Sequence, residues 1–295
     1  MLRRLPPFLL VLALALWRAG AACAALAVVD DTGRELRLDA PARRVISLSP
    51  HLTELVYAIG AGDRMAATVR GSDYPAQAAG LPQVGDAAGL DFERILAARP
   101  DLVLAWHSGN RAVDVARLRA LGLAVLELEP RQPADIARHL RLLGRLLDSG
   151  PGAQAAAQAF EARLAGLRGR YAGRSPVGVV FEIWHQPLFT VNGEHIISAV
   201  LRLCGGRNLF ASAPQLAMEV STEQVLMLDP DVIVVGSEAP DAGAGNWSAY
   251  PWMKAVRGGN VFTVSADLVT RQTPRMADAA QSLCEGLDRA RRQGP

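Results

Sequence analysis

Short runs of consecutive apolar residues alternate along the chain with stretches in which apolar residues recur every three or four positions. The runs at residues 45–48, 102–104 and 125–128 predict buried strands, because such strands are apolar on both faces. Helical spacing follows the first run, where Ser49 is placed to cap a helix that Pro50 begins. Strands that alternate with helices in this way predict a parallel sheet covered by helices on both faces.

The pattern changes between residues 133 and 171, where strand formers nearly vanish and Ala, Leu, Arg and Gln dominate. Ser149-Gly150-Pro151-Gly152 interrupts this stretch, and one long helix is predicted for residues 153–170. Alternation then resumes, with strands predicted at 177–183, 232–235 and 261–264 and helices at 196–203 and from Pro274. The sequence therefore predicts an α/β protein in which two lobes flank a helical connector. The boundaries are an N-terminal lobe at 28–130, a connector at 131–175 and a C-terminal lobe at 176–295.

The two lobes also repeat one local pattern. Residues 93–101 and residues 223–231 each read as a helix followed by a Pro-Asp turn, and a strand follows both, with 130 positions between equivalent residues. The repeat indicates duplicated lobes, and a ligand would bind in the cleft between the carboxyl ends of their strands. It places Glu93 and Glu223 at matching helix positions. Such a pair would suit a two-fold symmetric partner with basic pockets. Both residues could equally be ordinary acids favoured near helix N-termini.

The first residues predict a secretory signal. Arg3 and Arg4 precede an apolar run at residues 8–16, which is too short to cross a bilayer, and small residues follow. Ala25-Leu26-Ala27 fits a cleavage site, so we expect segment 1–27 to be removed and the protein to act in the periplasm. Lipidation of Cys23 is the alternative, which Gly20-Ala21-Ala22 disfavours because it lacks a large aliphatic residue.

Removal of this segment changes the charge balance. The whole chain has 31 basic and 29 acidic residues, and the segment contains three arginines and no acid, so 28 bases remain against 29 acids. The mature chain is therefore nearly neutral, and nucleic-acid binding has no electrostatic support. The segment also contains one of the three cysteines. Cys204 and Cys284 remain, and in an oxidising compartment they suggest a disulfide, with two separate buried thiols as the alternative.

The mature chain resembles the periplasmic cobalamin-binding proteins of ABC importers over nearly its whole length. The matching motifs, in chain order, are Arg44-Val45-Ile46-Ser47-Leu48-Ser49-Pro50 with Thr53-Glu54-Leu55, Ser72-Asp73-Tyr74-Pro75, residues 102–106 with Gly109-Asn110, Cys204-Gly205-Gly206 with Asn208, and Pro274-Arg275. The resemblance implies a class III periplasmic binding protein, in which two Rossmann-like lobes, each a central sheet flanked by helices, are joined by a long rigid α-helix.

The resemblance also implies roles for individual residues. It pairs Cys204 with Cys284 in a disulfide and makes Glu93 and Glu223 the carboxylates that dock on arginines of a dimeric ABC permease in the inner membrane. The protein would be a monomer without a cofactor or a resident metal. Its ligand-binding residues would be Ser72, Asp73, Tyr74, Trp106, Trp184, His185, Asp267, Leu268 and Arg271.

The ligand expected from the resemblance is cobalamin, with haem or an iron–siderophore as the alternative. Three aromatic positions of the family are lost, because they fall on Gly71, on Ala87-Ala88 and near Ala217. Trp184 and His185, together with Trp247, could rebuild the flat surface. Other interpretations of single residues remain open: Trp106 could be a core residue, His185 a solvated loop residue, and Asp267 and Arg271 a surface ion pair.

Enzymatic function has little support in the sequence. The motifs GxSxG, GxxxxGK[ST], GxGxxG after a strand, and HExxH are all absent. Ser49 and Ser72 show no base partner, and no chemistry is assigned to His51, to His195 or to His139, which is predicted to lie on the connector surface. A corrinoid- or metal-processing enzyme on the same fold is the distant alternative.

Overall fold

The computed structural model describes residues 25–86, 88–239 and 246–293. The strands are β1 (Leu26–Val29), β2 (Glu35–Leu38), β3 (Val45–Ser47), β4 (Met65–Ala67), β5 (Gly85–Asp86), β6 (Gly89–Leu90), β7 (Leu102–Trp106), β8 (Val125–Leu128), β9 (Val177–Glu182), β10 (Phe189–Val191), β11 (Gly206–Asn208), β12 (Ala217–Glu219), β13 (Val232–Gly236) and β14 (Val261–Val264). The α-helices are α1 (Pro50–Ala58), α2 (Phe92–Ala97), α3 (Ala112–Ala120), α4 (Pro133–Leu146), α5 (Gly150–Tyr171), α6 (Ile196–Leu203), α7 (Thr222–Leu228), α8 (Lys254–Arg257), α9 (Ala266–Thr270) and α10 (Met276–Gln293).

Two four-stranded parallel sheets organise the chain, one in each lobe. The N-terminal sheet has the order β4-β3-β7-β8 and the C-terminal sheet the order β11-β9-β13-β14. In both, the first strand along the chain lies between the second and the third, and the fourth is at the edge. The α/β fold with parallel sheets flanked by helices is therefore confirmed, and the shared strand order agrees with duplicated lobes.

The repeat seen in the sequence falls on the third strand of each sheet, where α2 leads into β7 and α7 leads into β13. Arg99, with a φ of 47°, and Asp229, with a φ of 40°, adopt the left-handed conformation just after these two helices. Each is followed by a proline, which cannot continue the helix. The two lobes thus end equivalent helices in the same way.

The aspartate of each Pro-Asp turn has a structural role that the sequence did not reveal. The backbone N–H groups of Arg43 and Arg44 donate to the carboxylate of Asp101 at 2.8 and 2.9 Å. In the C-terminal lobe the backbone N–H of Gly178 donates to Asp231 at 2.7 Å. Each carboxylate therefore ties the start of the third strand to the start of the first strand.

Helices α4 and α5 form the connector between the sheets. Helix α5 has 22 residues, which corresponds to roughly 33 Å at 1.5 Å per residue. It crosses α4 closely, since a Cβ at Gly144 would lie 2.3 Å from that of Ala153. Arg141 on α4 donates two hydrogen bonds to Glu161 on α5, at 2.7 and 2.6 Å. None of the described helices is both long and apolar enough to cross a membrane.

His139 is buried in α4, so its predicted place on the connector surface is wrong. Its Nε2 atom lies 2.7 Å from the carboxylate of Asp31, in the turn that joins β1 to β2. Burial opposes ionisation of Asp31, but hydrogen bonds from His139 and Arg138 hold its pKa well below the usual value. The error arises because Asp31 lies far from α4 in sequence and meets it only in the folded chain.

The first strand of the chain overlaps the predicted cleavage site. Strand β1 begins at Leu26, and Leu26 and Ala27 pair with Leu38 and Arg37 of β2. Cleavage before Val28 would therefore remove half of this ladder. Residues 1–24, including Cys23, lie outside the described residues.

A disulfide joins Cys204, just after α6, to Cys284 on α10, as the family resemblance implies. Arg291, also on α10, donates hydrogen bonds to the carbonyl oxygens of Ser175 and Cys204, at 2.8 and 2.6 Å. The last helix is thereby fixed to the C-terminal lobe by a covalent bond and by two hydrogen bonds.

Candidate functional site

Loops at the carboxyl ends of the two sheets contact each other between the lobes. Helix α1 follows β3 directly, Asp73 follows β4, and α9 follows β14, the edge strand of the other sheet. Arg271, at the end of α9, contacts both Glu54 on α1 and Asp73. The loops of the two lobes therefore meet where the sequence predicts the ligand-binding cleft.

Arg271 is the centre of an interlobe ion cluster, which comprises Glu54, Asp73, Asp267, Arg271 and Arg275. Its Nη1 atom donates to Glu54 at 3.0 Å and to Asp73 at 2.6 Å, and its Nη2 atom lies 3.0 Å from Asp267. The side chain is only 14% exposed. Asp267 and Arg271 thus pair with each other, as the sequence allowed, but Arg271 also bridges the two lobes.

Glu54 and Arg275 complete this cluster, although sequence reasoning gave neither a role. Glu54 is 3% exposed and accepts hydrogen bonds from Arg275 at 3.2 and 3.3 Å. The guanidinium of Arg275 lies 3.8 Å from the ring centroid of Tyr74, which is exposed. Both residues lie in the motifs that carry the family resemblance. The signal that could have identified Glu54 is its place as an acidic residue within the mostly apolar helix α1.

The cluster also perturbs Asp73. The hydrogen bond from Arg271 holds the pKa of this carboxyl below its usual value, against a smaller opposing effect of burial. Its contribution to joining the lobes is therefore complete above the ordinary carboxyl pKa and is lost as the pH falls through the lowered one. Since Asp73 is mostly exposed, the buried Glu54 carries more of the interaction.

Ser72 lies inside the N-terminal lobe and not on the cleft surface. It is buried, and its hydroxyl lies 2.7 Å from that of Thr68 and 3.2 Å from that of Thr53, while Ser47 joins the same hydroxyl cluster. The hydroxyl of Ser72 is therefore engaged in hydrogen bonds within this cluster. The residue therefore positions the turn that presents Asp73 and Tyr74, which corrects the expectation that it contacts the ligand.

Trp106 ends β7 and is partly buried. Its ring packs edge-on against His51 with 5.1 Å between centroids, and it lies so close to Gly109 that a Cβ there would be 1.9 Å from the ring. Asn110 accepts a hydrogen bond from the backbone N–H of Trp106 at 2.7 Å and donates one to the carbonyl of Leu48 at 2.9 Å. These contacts fix Trp106 at the carboxyl end of the sheet.

A buried pair of Ser49 and His51 lies beside Trp106, with 2.7 Å between the hydroxyl and Nδ1. The sequence showed no base partner for Ser49, so this contact was missed. Burial lowers the pKa of His51 to about 3. Because neither side chain is accessible to a substrate, the pair stabilises the start of α1 and does not form a catalytic dyad.

Trp184 and His185 follow β9 in a turn at the carboxyl end of the C-terminal sheet. Trp184 is 65% exposed, and its indole N–H donates to the carbonyl of Gln186 at 2.9 Å. The Nδ1 atom of His185 lies 3.1 Å from the carboxylate of Glu182. Trp247 is buried and donates its indole N–H to the same carboxylate at 2.8 Å, so the expectation that it adds to the exposed surface is wrong.

Helix α9 presents the remaining predicted residues. Ser265 caps it by accepting a hydrogen bond from the backbone N–H of Leu268 at 3.3 Å, and Leu268 packs partly buried against the core. The carboxylate of Glu238, after β13, accepts from the backbone N–H of Asp267 at 2.8 Å. The position of Asp267 and Arg271 is thus set by the neighbouring strand.

Glu93 and Glu223 are both exposed and occupy the second residue of α2 and of α7. Asp91 and Ser221 cap these helices through hydrogen bonds from the backbone N–H groups three residues later. Hydrogen bonds from its own backbone N–H and from Ser221 lower the pKa of Glu223. The two carboxylates therefore stand at equivalent points of the two lobes.

The positions without aromatic side chains are also informative. Gly71 has a φ of 84°, in the left-handed region that favours glycine, so a tryptophan there would be strained. Ala217 is exposed in β12, Ala88 is exposed, and Ala87 lies outside the described residues. Among the predicted ligand-binding residues, Trp106, Trp184 and Tyr74 are the tryptophans and tyrosine that could offer a flat surface.

Comparisons with known proteins agree with this architecture. A family model described as a periplasmic binding protein matches residues 45–268. The vitamin B12-binding protein of Vibrio cholerae serotype O1 is 37% identical over 254 residues, which cover 86% of this chain and 92% of the relative. The vitamin B12-binding protein of Photorhabdus laumondii subsp. laumondii is 38% identical over 247 residues, covering 83% and 88%.

Solved structures give the same result. The periplasmic vitamin B12 binding protein BtuF of Vibrio cholerae aligns with a TM-score of 0.80 and 36% identity, covering 85% of this chain and 98% of that chain. The periplasmic heme-binding protein RhuT from Roseiflexus sp. RS-1 aligns with a TM-score of 0.73 and 21% identity, covering 84% and 99%, which shows a shared fold alone.

Proposed function

The chain belongs to the periplasmic binding protein family, and we propose that it captures cobalamin between its two lobes and delivers it to an ABC importer. The observation that carries this proposal is the extent of the similarity to a vitamin B12-binding protein, which spans 86% of the chain and so includes both lobes. Members of this family bind a solute and release it unchanged, so the protein is not an enzyme.

The residues that border the cleft suit a large, flat ligand with a polar edge. Trp106, Trp184 and Tyr74 provide aromatic surface for the apolar faces of a corrin ring. Asp73, Asp267 and Arg271 can exchange hydrogen bonds with peripheral amides, since carboxylates accept and a guanidinium donates. Arg271 is held by three carboxylates, so ligand binding would redistribute contacts that already join the lobes.

Delivery requires a surface that a permease recognises. Glu93 and Glu223 would dock on arginines of a dimeric permease, because their equivalent positions on two related lobes match a two-fold symmetric partner. The protein would reach the periplasm through cleavage of segment 1–27 and would act there as a monomer.

Haem or an iron–siderophore is the second candidate ligand. The observation that favours it is His185, whose imidazole is oriented by a carboxylate in the way typical of metal-ligating histidines. Arg271 could additionally pair with a propionate group.

Uptake by cells distinguishes the two ligands. Deletion of the gene should abolish uptake of radiolabelled cyanocobalamin at nanomolar concentrations, and a plasmid copy of the full chain should restore it. Growth on haem as the iron source should be unaffected. Loss of growth on haem with normal cobalamin uptake would instead assign the chain to haem import.

A further inference from the structure

We infer that His185 is a metal ligand within the cleft, whose Nε2 atom coordinates the cobalt of a cobalamin that carries an exchangeable water on its upper face. This inference rests on the proposed function, since it takes cobalamin as the ligand. It adds a specificity for the axial state of the metal that capture of the corrin ring alone would not provide.

The buried carboxylate of Glu182 orients the imidazole. Glu182 ends β9 and is 1% exposed, and it accepts hydrogen bonds from Trp247 at 2.8 Å and from Nδ1 of His185 at 3.1 Å. A carboxylate oxygen accepts hydrogen bonds, so the tautomer that fits this contact has its ring proton on Nδ1. The lone pair is consequently on Nε2, the atom that remains available to a ligand.

The surroundings of His185 leave this lone pair accessible. The side chain is 38% exposed in the turn after β9, next to the exposed Trp184, and within the described parts of the chain Nε2 has no hydrogen-bond partner. A histidine whose other ring nitrogen is held by a carboxylate is the arrangement that metal ligands in proteins use, because it fixes the ring and raises its basicity. Burial of Glu182 keeps this arrangement rigid.

A bond between His185 and the cobalt would offset the loss of the aromatic residues. Gly71 and Ala217 offer no flat surface to the corrin, so stacking is weaker than the family pattern would supply. A coordinate bond to the centre of the ring compensates for that loss without requiring a larger apolar surface.

The exchange itself is simple and balanced. The Co(III)–OH2 bond breaks and the water leaves, and the Nε2 lone pair of His185 forms the new Co–N bond. The metal stays Co(III) and no proton is transferred. Cyanocobalamin keeps its tightly bound cyanide, so it can be held only by the other contacts of the cleft.

A second histidine provides a matched control. The Nδ1 atom of His107 lies 2.9 Å from the carboxylate of Glu127, which also binds Arg119 at 2.7 Å. However, His107 lines a separate cavity on the β8 side of the N-terminal lobe, with Thr32 and Arg119. The same chemistry is therefore present at a place that the cleft does not include.

The test is an absorbance titration of the purified protein with aquocobalamin and, in parallel, with cyanocobalamin. We expect the visible bands of aquocobalamin to shift on binding, as nitrogen replaces water on the cobalt, and those of cyanocobalamin to stay in place. His185→Ala should lose the shift and bind aquocobalamin at least about tenfold more weakly. Its affinity for cyanocobalamin should fall much less, so that this binding also shows that it is folded, and His107→Ala should behave like the wild type.

Glu182→Gln separates orientation from the presence of the imidazole. The glutamine oxygen can accept from Trp247, but its amide then donates to Nδ1, which forces the ring proton onto Nε2. We expect affinity for aquocobalamin to fall roughly 10- to 100-fold, with that for cyanocobalamin retained.

Two results would overturn the inference: bound aquocobalamin with unshifted bands, or a shift that survives in His185→Ala. Both would leave the proposed function intact. If neither aquocobalamin nor cyanocobalamin bound, the proposed function itself would be contradicted.

Discussion

Reversing the charges of Glu93 and Glu223 together is expected to abolish cobalamin uptake and to leave cobalamin affinity unchanged. Both side chains are exposed on the first turn of equivalent helices. Under the proposed docking, an arginine at either position would face arginines of the permease and create like-charge contacts, which cost several kcal/mol each at an interface. Uptake by cells expressing Glu93→Arg/Glu223→Arg should therefore fall by more than about 100-fold. The purified variant should give the wild-type dissociation constant.

The matched control reverses two exposed acids that are remote from these helices, Glu35 on β2 and Glu285 on α10. Glu35→Arg/Glu285→Arg changes the net charge by the same amount and should transport cobalamin normally. Wild-type uptake by the Glu93/Glu223 variant would contradict the docking role. Equal loss in the control would attribute the effect to net charge.

Glu54→Gln is expected to destabilise the protein by about 3 kcal/mol and to loosen the contact between its lobes. The substitution removes the charge of a carboxylate that is 3% exposed and leaves Arg275 with a neutral partner, whereas Arg271 keeps Asp73 and Asp267. Removal of one member of a largely buried ion pair leaves the other charge uncompensated. Chemical denaturation should show the loss of stability, and small-angle scattering of the unliganded protein should show a larger radius of gyration.

Glu35→Gln serves as the comparison, because Glu35 pairs at 3.0 Å with Arg37 on the exposed face of β2. Exposed pairs contribute less than about 1 kcal/mol, so this variant should be nearly as stable as the wild type. Equal stability of the two variants would mean that the interlobe ion cluster does not hold the lobes together.

Six strands of the two sheets could be predicted from sequence, because each lies in a short and mostly apolar run. Strands β3, β7, β8, β9, β13 and β14 all follow such runs. The edge strands β4 and β11 were missed, since each has three residues and β11 consists of Gly, Arg and Asn, which form strands poorly. Their conformation is set by pairing with the first strand of each sheet, which no local pattern encodes.

The site was less predictable, because its contacts join residues that are distant in sequence. Arg275 reaches Glu54 from 221 positions away, and Trp247 reaches Glu182 from 65 positions away. Trp247 was expected to help rebuild the flat surface, yet it is buried and its indole N–H donates to the buried carboxylate of Glu182. Ser72 looked like a cleft residue from its motif, but its hydroxyl was drawn into the cluster of Ser47, Thr53 and Thr68.

The most direct test is a calorimetric titration of the purified protein with cyanocobalamin, and with haem under the same conditions. Capture of cobalamin between the lobes predicts saturation at one molecule per chain and a negative heat-capacity change, because apolar corrin and aromatic surfaces become buried. Haem should give no comparable saturation. No heat with cyanocobalamin, together with one-to-one saturation by haem, would contradict the assignment.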